Sequence, residues 1–366
     1  MRSLTIPQKS IKKKLTKNTN ISLHSVKKSI NNDDVFSFFS KNVDLNCKNT
    51  QVINTNNQFN VDYLLKDNSK IIINLQRLND VRRINKFIER INAKLIDEGM
   101  FLGCFEPERL RKKRLLNKYI KPFNYIYYFL DFIFKRIFPK LNLTKKIYFF
   151  LTQGRNRLIS KAEMFGRVYS CGFMICSEEI IGYTHYFVAK KIKEPVFDMS
   201  PTYGPFIKLN RIGKSGKFFK VYKLRTMHPY SEYIQDYIFE TNKLDKGGKF
   251  KNDYRISTLG MIFRKLWLDE FPMFINVFKG QMKIVGVRPL SQHYFNLYPE
   301  KLRVMRTKYK PGLVPPYYAD MPETLDEIID SELKYLEAYK KSPAVTDITY
   351  FYKSFYNILI KGRRSN

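Results

Sequence analysis

Apolar positions are spaced unevenly along the chain, and the spacing marks out most of its elements. The compact run Ile71-Ile72-Ile73-Asn74-Leu75 predicts a buried strand. Over 81–99, Ile84, Phe87, Ile88, Ile91 and Leu95 recur at helical intervals, with Gly99 as the stop, and 100–106 is again strand-like. Strand, helix, strand is a βαβ pattern. Residues 161–191 predict a helix, a turn at Gly172, a strand over 173–176 and a closing strand over 186–190. Beyond Pro195, glycines at 204, 213 and 216 punctuate short strand candidates, with a hairpin around 214–216. A helix Leu259–Phe271 stopped by Pro272, a short helix Met273–Lys279 capped by Gly280, and a strand over 282–287 follow. Two amphipathic helices close the chain, over 323–341 and 343–360; the first places Leu325, Ile328, Ile329, Leu333 and Leu336 on its core face.

Two stretches depart from this patterning. Residues 1–60 hold 11 Asn, scattered Lys and no Gly, so 1–69 read as a weakly ordered arm or poorly patterned fragment ahead of domains 70–192 and 193–366. The second is 123–138, bounded by Pro122 and Pro139, whose only charges are Asp131, Lys135 and Arg136. As a helix it would run about 24 Å, short of a hydrocarbon core of roughly 30 Å. Following the basic block 106–122, it suits an anionic membrane surface, with Tyr125, Tyr128, Phe129, Phe132 and Phe134 as lipid contacts. The alternative is a helix packed between domains. No window is apolar enough to span, and residues 1–20 lack the apolar core of a secretory signal.

Charge sharpens the question of partners. The chain carries 66 Lys plus Arg against 33 Asp plus Glu, a net +33. Such an excess suits nucleic acid, an anionic membrane or phosphorylated substrates, and composition does not choose among them. Cys47, Cys104, Cys171 and Cys176 have neither disulfide-framework nor CxxC spacing, and none of the four histidines has metal-site spacing.

The densest chemistry lies in 253–289. Asp269 and Glu270 adjoin one another at the predicted end of a helix, a costly place for two carboxylates unless cations or a divalent metal compensate them. Arg264, Lys265 and Arg288 are nearby candidates, and Arg211, Lys223 and Arg225 form a second basic group on the hairpin. Adjacent helical residues diverge by about 100°, so one carboxylate can face a substrate while its neighbour holds a metal. That division suits attack on a diphosphate.

Residues 71–106 with KAEMFGRVYSCGF and YFVAKK resemble the second half of a class I methyltransferase-type fold, degenerate because 1–70 lack the Gly-rich cofactor loop. Further on, KVYKLRTM, DYRIS, LDEFPMFINVFKG, MKIVGVRPL and KYKPGL, in that order across about 200–320, resemble the bacterial sugar transferase family of monotopic polyprenyl-phosphate phosphoglycosyl transferases. The resemblance implies an α/β chain: a methyltransferase-like βαβ region, then a compact mixed α/β phosphoglycosyl transferase domain with amphipathic membrane-surface helices. It implies transfer of a sugar 1-phosphate from a UDP-sugar to polyprenyl phosphate through a covalent aspartyl intermediate, at the cytoplasmic face of a bacterial inner membrane.

Under that resemblance Asp269 is the nucleophile and Glu270 the Mg²⁺-associated carboxylate. Arg211, Lys223, Arg225, Arg255, Arg264, Arg288 and Lys310 would bind substrate phosphates. Nucleic acid is not an expected partner, and a homo-oligomer is left open. The chain departs from the family in two places: the usual Gly-Pro-Arg-Pro reads Gly286-Val287-Arg288-Pro289, and Ser200-Pro201 lacks the long apolar run that normally surrounds it. The second departure keeps a catalytically inactive pathway scaffold as the alternative function.

Overall fold

The computed structural model describes residues 23–64, 69–197, 203–242 and 253–359. The chain forms two compact units, residues 1–201 with 232–234, and residues 202–231 with 235–366. The architecture is mixed α/β.

Unit 1 is built on one five-stranded sheet. Its elements are α1 (Leu23–Ile30), α2 (Asp33–Asn42), β1 (Thr50–Ile53), α3 (Gln58–Asp62), β2 (Ser69–Asn74), α4 (Ile84–Asn92), β3 (Leu95–Phe105), α5 (Glu108–Lys118), α6 (Phe123–Phe132), α7 (Asn142–Thr152), α8 (Lys161–Ser170), β4 (Phe173–Ile181) and β5 (Thr184–Lys191). The strand order is β1-β2-β3-β5-β4, with β1, β2 and β3 parallel and β5 antiparallel to both neighbours. Ile71, Ile73, Leu102 and Val188 on the sheet pack against Val26, Val35, Phe38 and Phe39 of α1 and α2. The Asn-rich stretch therefore supplies core helices and an edge strand from residue 23 onward.

The helix expected over 81–99 ends at Asn92, and Gly99 lies inside β3. Leu95 pairs with Ser69 in the parallel ladder instead of extending the helical face. Buried Asn92 holds the junction, donating to the carbonyls of Cys171 (2.9 Å) and Lys193 (3.0 Å).

Unit 2 uses two small sheets. The hairpin β6 (Phe206–Ile212) and β7 (Phe218–Leu224) turns through 213–217, as its glycines predict. Then come α9 (Gln235–Asn242), α10 (Thr258–Lys265), α11 (Phe274–Phe278), β8 (Lys283–Val285), α12 (Gln292–Asn296), α13 (Glu300–Thr307), β9 (Gly312–Val314), α14 (Tyr317–Asp320), α15 (Leu325–Lys341) and α16 (Pro343–Leu359). β8 and β9 pair in parallel. Val285, Val287, Leu302, Val314, Tyr335 and Leu336 are central to its main core. Ile329 and Leu336 of α15 are buried there, with Ile328 and Leu333 packed at its edge, whereas Leu325 is exposed.

Candidate active site

The segment after β7 fixes where the acidic pair stands. The carbonyl of Thr226 accepts from the backbone amide (2.9 Å) and hydroxyl (3.2 Å) of Ser257, whose hydroxyl in turn caps α10 by accepting from Gly260 N (3.0 Å). A β-carbon on Gly260 would lie 1.9 Å from the Thr226 carbonyl oxygen, so only glycine permits this approach.

α10 ends at Lys265, not at Phe271 as the Pro272 stop predicted. The Trp267 amide donates to Arg264 O (3.3 Å) and the Leu268 amide to Phe263 O (2.9 Å), the paired bonds of a Schellman turn. Trp267 occupies its left-handed position, at φ 60°, where glycine or asparagine is usual. Asp269 and Glu270 consequently stand in the turn between α10 and the 3₁₀ turn Phe271–Met273, outside any helix end, so a helix dipole does not oppose them. The Asp269 carbonyl accepts from Leu224 N (2.9 Å), tying this turn to the end of β7.

The two carboxylates have different surroundings. Glu270 is clamped: Lys223 donates to Oε1 at 2.5 Å and the Trp267 indole to Oε2 at 3.0 Å. Asp269 is half-buried, and its pKa is displaced upward from the ordinary aspartate value, by burial first and the Glu270 charge second. Lys223 and Arg264 work against that displacement. Arg264 is steadied through Nε, which donates to Thr226 Oγ1 at 3.0 Å. A half-open carboxylate beside cations that favour its ionised form can act as a nucleophile toward an anionic phosphorus centre.

The other expected phosphate-binding residues divide. Arg288 presents an exposed side chain near the Tyr317 ring (5.9 Å), and its pKa is raised by Tyr317 first and, further, by the Glu270 charge. Arg211 feels the charge of Arg288; burial and then that neighbour displace its pKa downward. Arg225 donates through Nε to Gly204 O (2.9 Å), while its backbone amide reaches Pro205 O (2.6 Å). Arg255 is buried in a two-pronged pair with Asp253 (2.8 and 2.7 Å) and there braces the segment before α10. Lys310 is exposed. Ser200 and Pro201 lie outside the described residues.

The GVRP segment is placed by glycine contact. A β-carbon on Gly312 would fall 2.1 Å from Gly286 N, and the Gly312 amide donates to Val287 O (3.0 Å). KYKPGL and GVRP therefore meet at these glycines, and Arg306 of α13 donates to the Arg288 carbonyl from its buried pair with Glu332.

Exposed apolar side chains flank the acidic turn in sequence, interspersed with exposed Arg264, Lys265 and Lys279. Leu259, Met261 and Ile262 of α10 are exposed, as are Leu266 just after it, Phe271 and, at 88%, Phe278. Sequence reasoning did not find Trp267, Thr226 or Asn276. Asn276, fully buried, accepts from Tyr222 N (3.1 Å) and donates to Lys220 O (2.8 Å), locking α11 to β7. Its signal was available, an asparagine in the middle of an apolar run; Trp267 offered none, because nothing local marks a left-handed tryptophan.

No group of three metal-ligating side chains occurs among the described residues. The oxygen donors present still suit a hard cation that takes one or two carboxylates and completes its shell with substrate phosphate. Each Glu270 oxygen retains a lone pair beyond its single hydrogen bond.

Residues 194–361 match the bacterial sugar transferase model. This part of the chain is similar to the bacterial sugar transferase family. It is 36% identical over 141 residues to the uncharacterized sugar transferase EpsL of Bacillus subtilis, covering 38% of this chain and 58% of that protein. The galactosyl transferase CpsE of Streptococcus agalactiae is 32% identical over 135 residues (36% and 30% covered). The undecaprenyl-phosphate galactose phosphotransferase of Salmonella typhimurium is 39% identical over 85 residues (22% and 18%). The chain thus spans less than two thirds of each of these sugar transferases. A solved CurJ carbon methyltransferase superposes at TM-score 0.23 and 9% identity over 39% of this chain and 35% of that one, a level that carries no argument.

Proposed function

We propose that the sugar transferase unit moves a sugar 1-phosphate from a UDP-sugar to polyprenyl phosphate, initiating assembly of a lipid-linked glycan such as an exopolysaccharide, capsule, O-antigen or glycoprotein glycan. The observation that carries this reading is the half-open Asp269, flanked by Lys223 and Arg264 and rimmed by exposed apolar side chains. Cations on one side suit a diphosphate and an apolar rim suits a prenyl tail, a combination that a water-soluble acceptor would not need. The relatives named for transfer to undecaprenyl phosphate support the same acceptor class.

In the first step an Asp269 carboxylate oxygen bonds to the phosphorus carrying the sugar. The bond from that phosphorus to the bridging oxygen breaks, leaving sugar phosphate on Asp269 and releasing UMP. In the second step an oxygen of polyprenyl phosphate bonds to the same phosphorus, freeing the Asp269 carboxylate and forming polyprenyl diphosphate sugar. Arg264 and Arg288 offset phosphate charge in both steps. Glu270 is the residue that would hold Mg²⁺, which would supply further charge compensation for the phosphates when bound. Glu270 is fixed by Lys223 and Trp267, and the Lys223 ammonium partly offsets its charge beside the attacking oxygen.

We place this reaction at the cytoplasmic face of a bacterial membrane, where nucleotide sugars are made. Unit 1 fits a degenerate methyltransferase-like sheet without a cofactor loop, since three parallel strands followed by an antiparallel hairpin support that topology. The test measures UMP release from a panel of UDP-sugars in detergent. Release that needs Mg²⁺ and polyprenyl phosphate and disappears in Asp269→Asn supports the reading. No release from any donor would favour the inactive scaffold, and unchanged release in the variant would remove Asp269 from the chemistry.

A further inference from the structure

Helix α6 of unit 1 is built inside out. Its two polar side chains face the protein: Asn124 is 2% exposed and donates to Leu116 O (2.9 Å), and Asp131 takes both prongs of buried Arg111 (2.7 Å each). Its outer side carries Phe123, Tyr125, Ile126, Tyr127, Phe129 and Leu130, all between 45% and 68% exposed. At about 100° per residue these six share one arc, and Asn124, Tyr128, Asp131 and Phe132 share the other. A surface helix in water presents the opposite arrangement. Half a turn of rotation would bury the aromatics but would pull Asp131 off Arg111, so the ion pair holds the apolar arc outward. Of the five lipid contacts expected from sequence, Tyr125 and Phe129 are therefore exposed, while Tyr128, Phe132 and Phe134 are partly covered.

α7 repeats the pattern. Tyr148 is fully buried beneath it, its ring against Phe134 (5.4 Å), while Leu143, Ile147, Phe150 and Leu151 are between 60% and 86% exposed. Scattered exposed apolar residues are ordinary on a protein surface; consecutive helices that both present such a face are not. No described helix is long and apolar enough to cross a membrane.

The sign of the surrounding charge selects the occupant. Between Arg109 and Lys161 the only acidic residue is Asp131, already paired, against fifteen Lys and Arg. Lys112, Lys113, Lys118, Lys121, Lys145 and Lys146 are exposed on and beside these helices. A second copy of this chain would bring the same cations face to face.

We propose that α6 and α7 dock unit 1 onto an anionic lipid bilayer, with the aromatic and aliphatic side chains in the acyl boundary and the lysines on lipid phosphates. The surface lies outside the matched sugar transferase residues and does not depend on the transfer reaction.

The test uses the full chain and vesicles of phosphatidylcholine alone or with added phosphatidylglycerol, with no sugar donor present, so its result is independent of the transfer assay. Native protein is expected to sediment with the anionic vesicles, less so as salt rises. A variant with Ile126, Phe129, Ile147 and Phe150 all changed to Ser, its fold checked by thermal unfolding, is expected to bind at least about tenfold more weakly. Lys112→Gln, Lys113→Gln and Lys118→Gln together should weaken binding by about fivefold per lysine. As a local reporter, Phe129→Trp should be quenched by brominated lipid beyond the quenching of the native Trp267. Unchanged vesicle binding in the serine variant, or no added quenching at residue 129, overturns the proposal. So does sedimentation velocity showing a native dimer that the serine variant dissolves while vesicle binding persists, since a second copy then covers this face.

Discussion

The two units use similar cations in opposite ways. In unit 1 the buried carboxylate of Glu106 receives Arg77, Arg111 and Arg114, and that of Glu163 receives Arg136, Lys140 and Arg167. Three cations converge on each acid, and Arg111 also serves Asp131. Around Asp269 and Glu270 in unit 2, Lys223, Arg264 and Arg288 act on two carboxylates, and one of these, Asp269, is reached by no charged hydrogen-bond donor among the described residues. Arginine density alone therefore does not separate a structural network from a binding site. What separates them is whether the acid at the centre is enclosed or left half open.

The contrast breaks most sharply at Asp269. Asp269→Asn should lower turnover by about 10⁴-fold or more, with thermal unfolding nearly unchanged, because the side chain is half-buried and keeps its volume. Steady-state UMP release and calorimetry on the same preparation check both halves. In unit 1 the reverse is expected. Burial alone would raise the Glu163 pKa, but Lys140, Arg136 and Arg167 overcome it and hold that pKa well below the ordinary value. Glu163→Gln leaves three cations without their partner and should destabilise unit 1 by about 3–5 kcal/mol while turnover per folded molecule stays close to native. The sign follows from linkage: a depressed folded-state value gives stability that is present above about pH 4.5 and is lost as pH falls through the native value. Native unit 1 should therefore lose stability in acid, and the glutamine variant should show a flatter pH dependence over that range.

Arg264 sharpens the comparison from the other side, since it lies beside the acidic turn without being locked in a buried pair. Arg264→Met should cost about 10²-fold in kcat/KM, the scale of removing one aimed charge from a transition state. It should also move the acid limb of the rate profile upward, because Arg264 is one of the two charges that favour ionised Asp269. A lowered rate with an unmoved limb would mean that Arg264 acts on substrate alone.

How much of this was legible in the chain depended on whether the deciding contact was local. The hairpin 206–224 was, because Gly213 and Gly216 mark its turn and every residue from Phe206 to Ile212 then pairs in order. The adjacency of Asp269 and Glu270 and the basic residues around them were legible too. The boundaries were less so: Leu95 fits a helical face equally well, and only pairing with Ser69 decides for strand. The orientation of α6 depends on Arg111, twenty residues before Asp131, so periodicity identified the helix without saying which face turned outward. Arg255 carried the same sequence signal as Arg264, yet Asp253 holds it in a buried pair.

Trp267 gives the smallest effect and the finest separation. Its left-handed backbone costs on the order of 1–2 kcal/mol for a residue with a β-carbon, and the indole bond to Glu270 offsets part of that cost. Trp267→Phe keeps the strained backbone and the edge-on packing against Tyr318 but loses the N–H donor. Trp267→Gly relieves the backbone yet loses both. If the indole holds Glu270 in place, the phenylalanine variant should lose about tenfold in kcat/KM. With Glu270 held by Lys223 alone, the Mg²⁺ concentration for half-maximal rate should rise. The glycine variant should lose at least as much rate, although its stability recovers part of the lost packing through the relaxed turn. If Trp267 is merely part of the core, rate and stability should instead fall together across both variants and the Mg²⁺ dependence should not move.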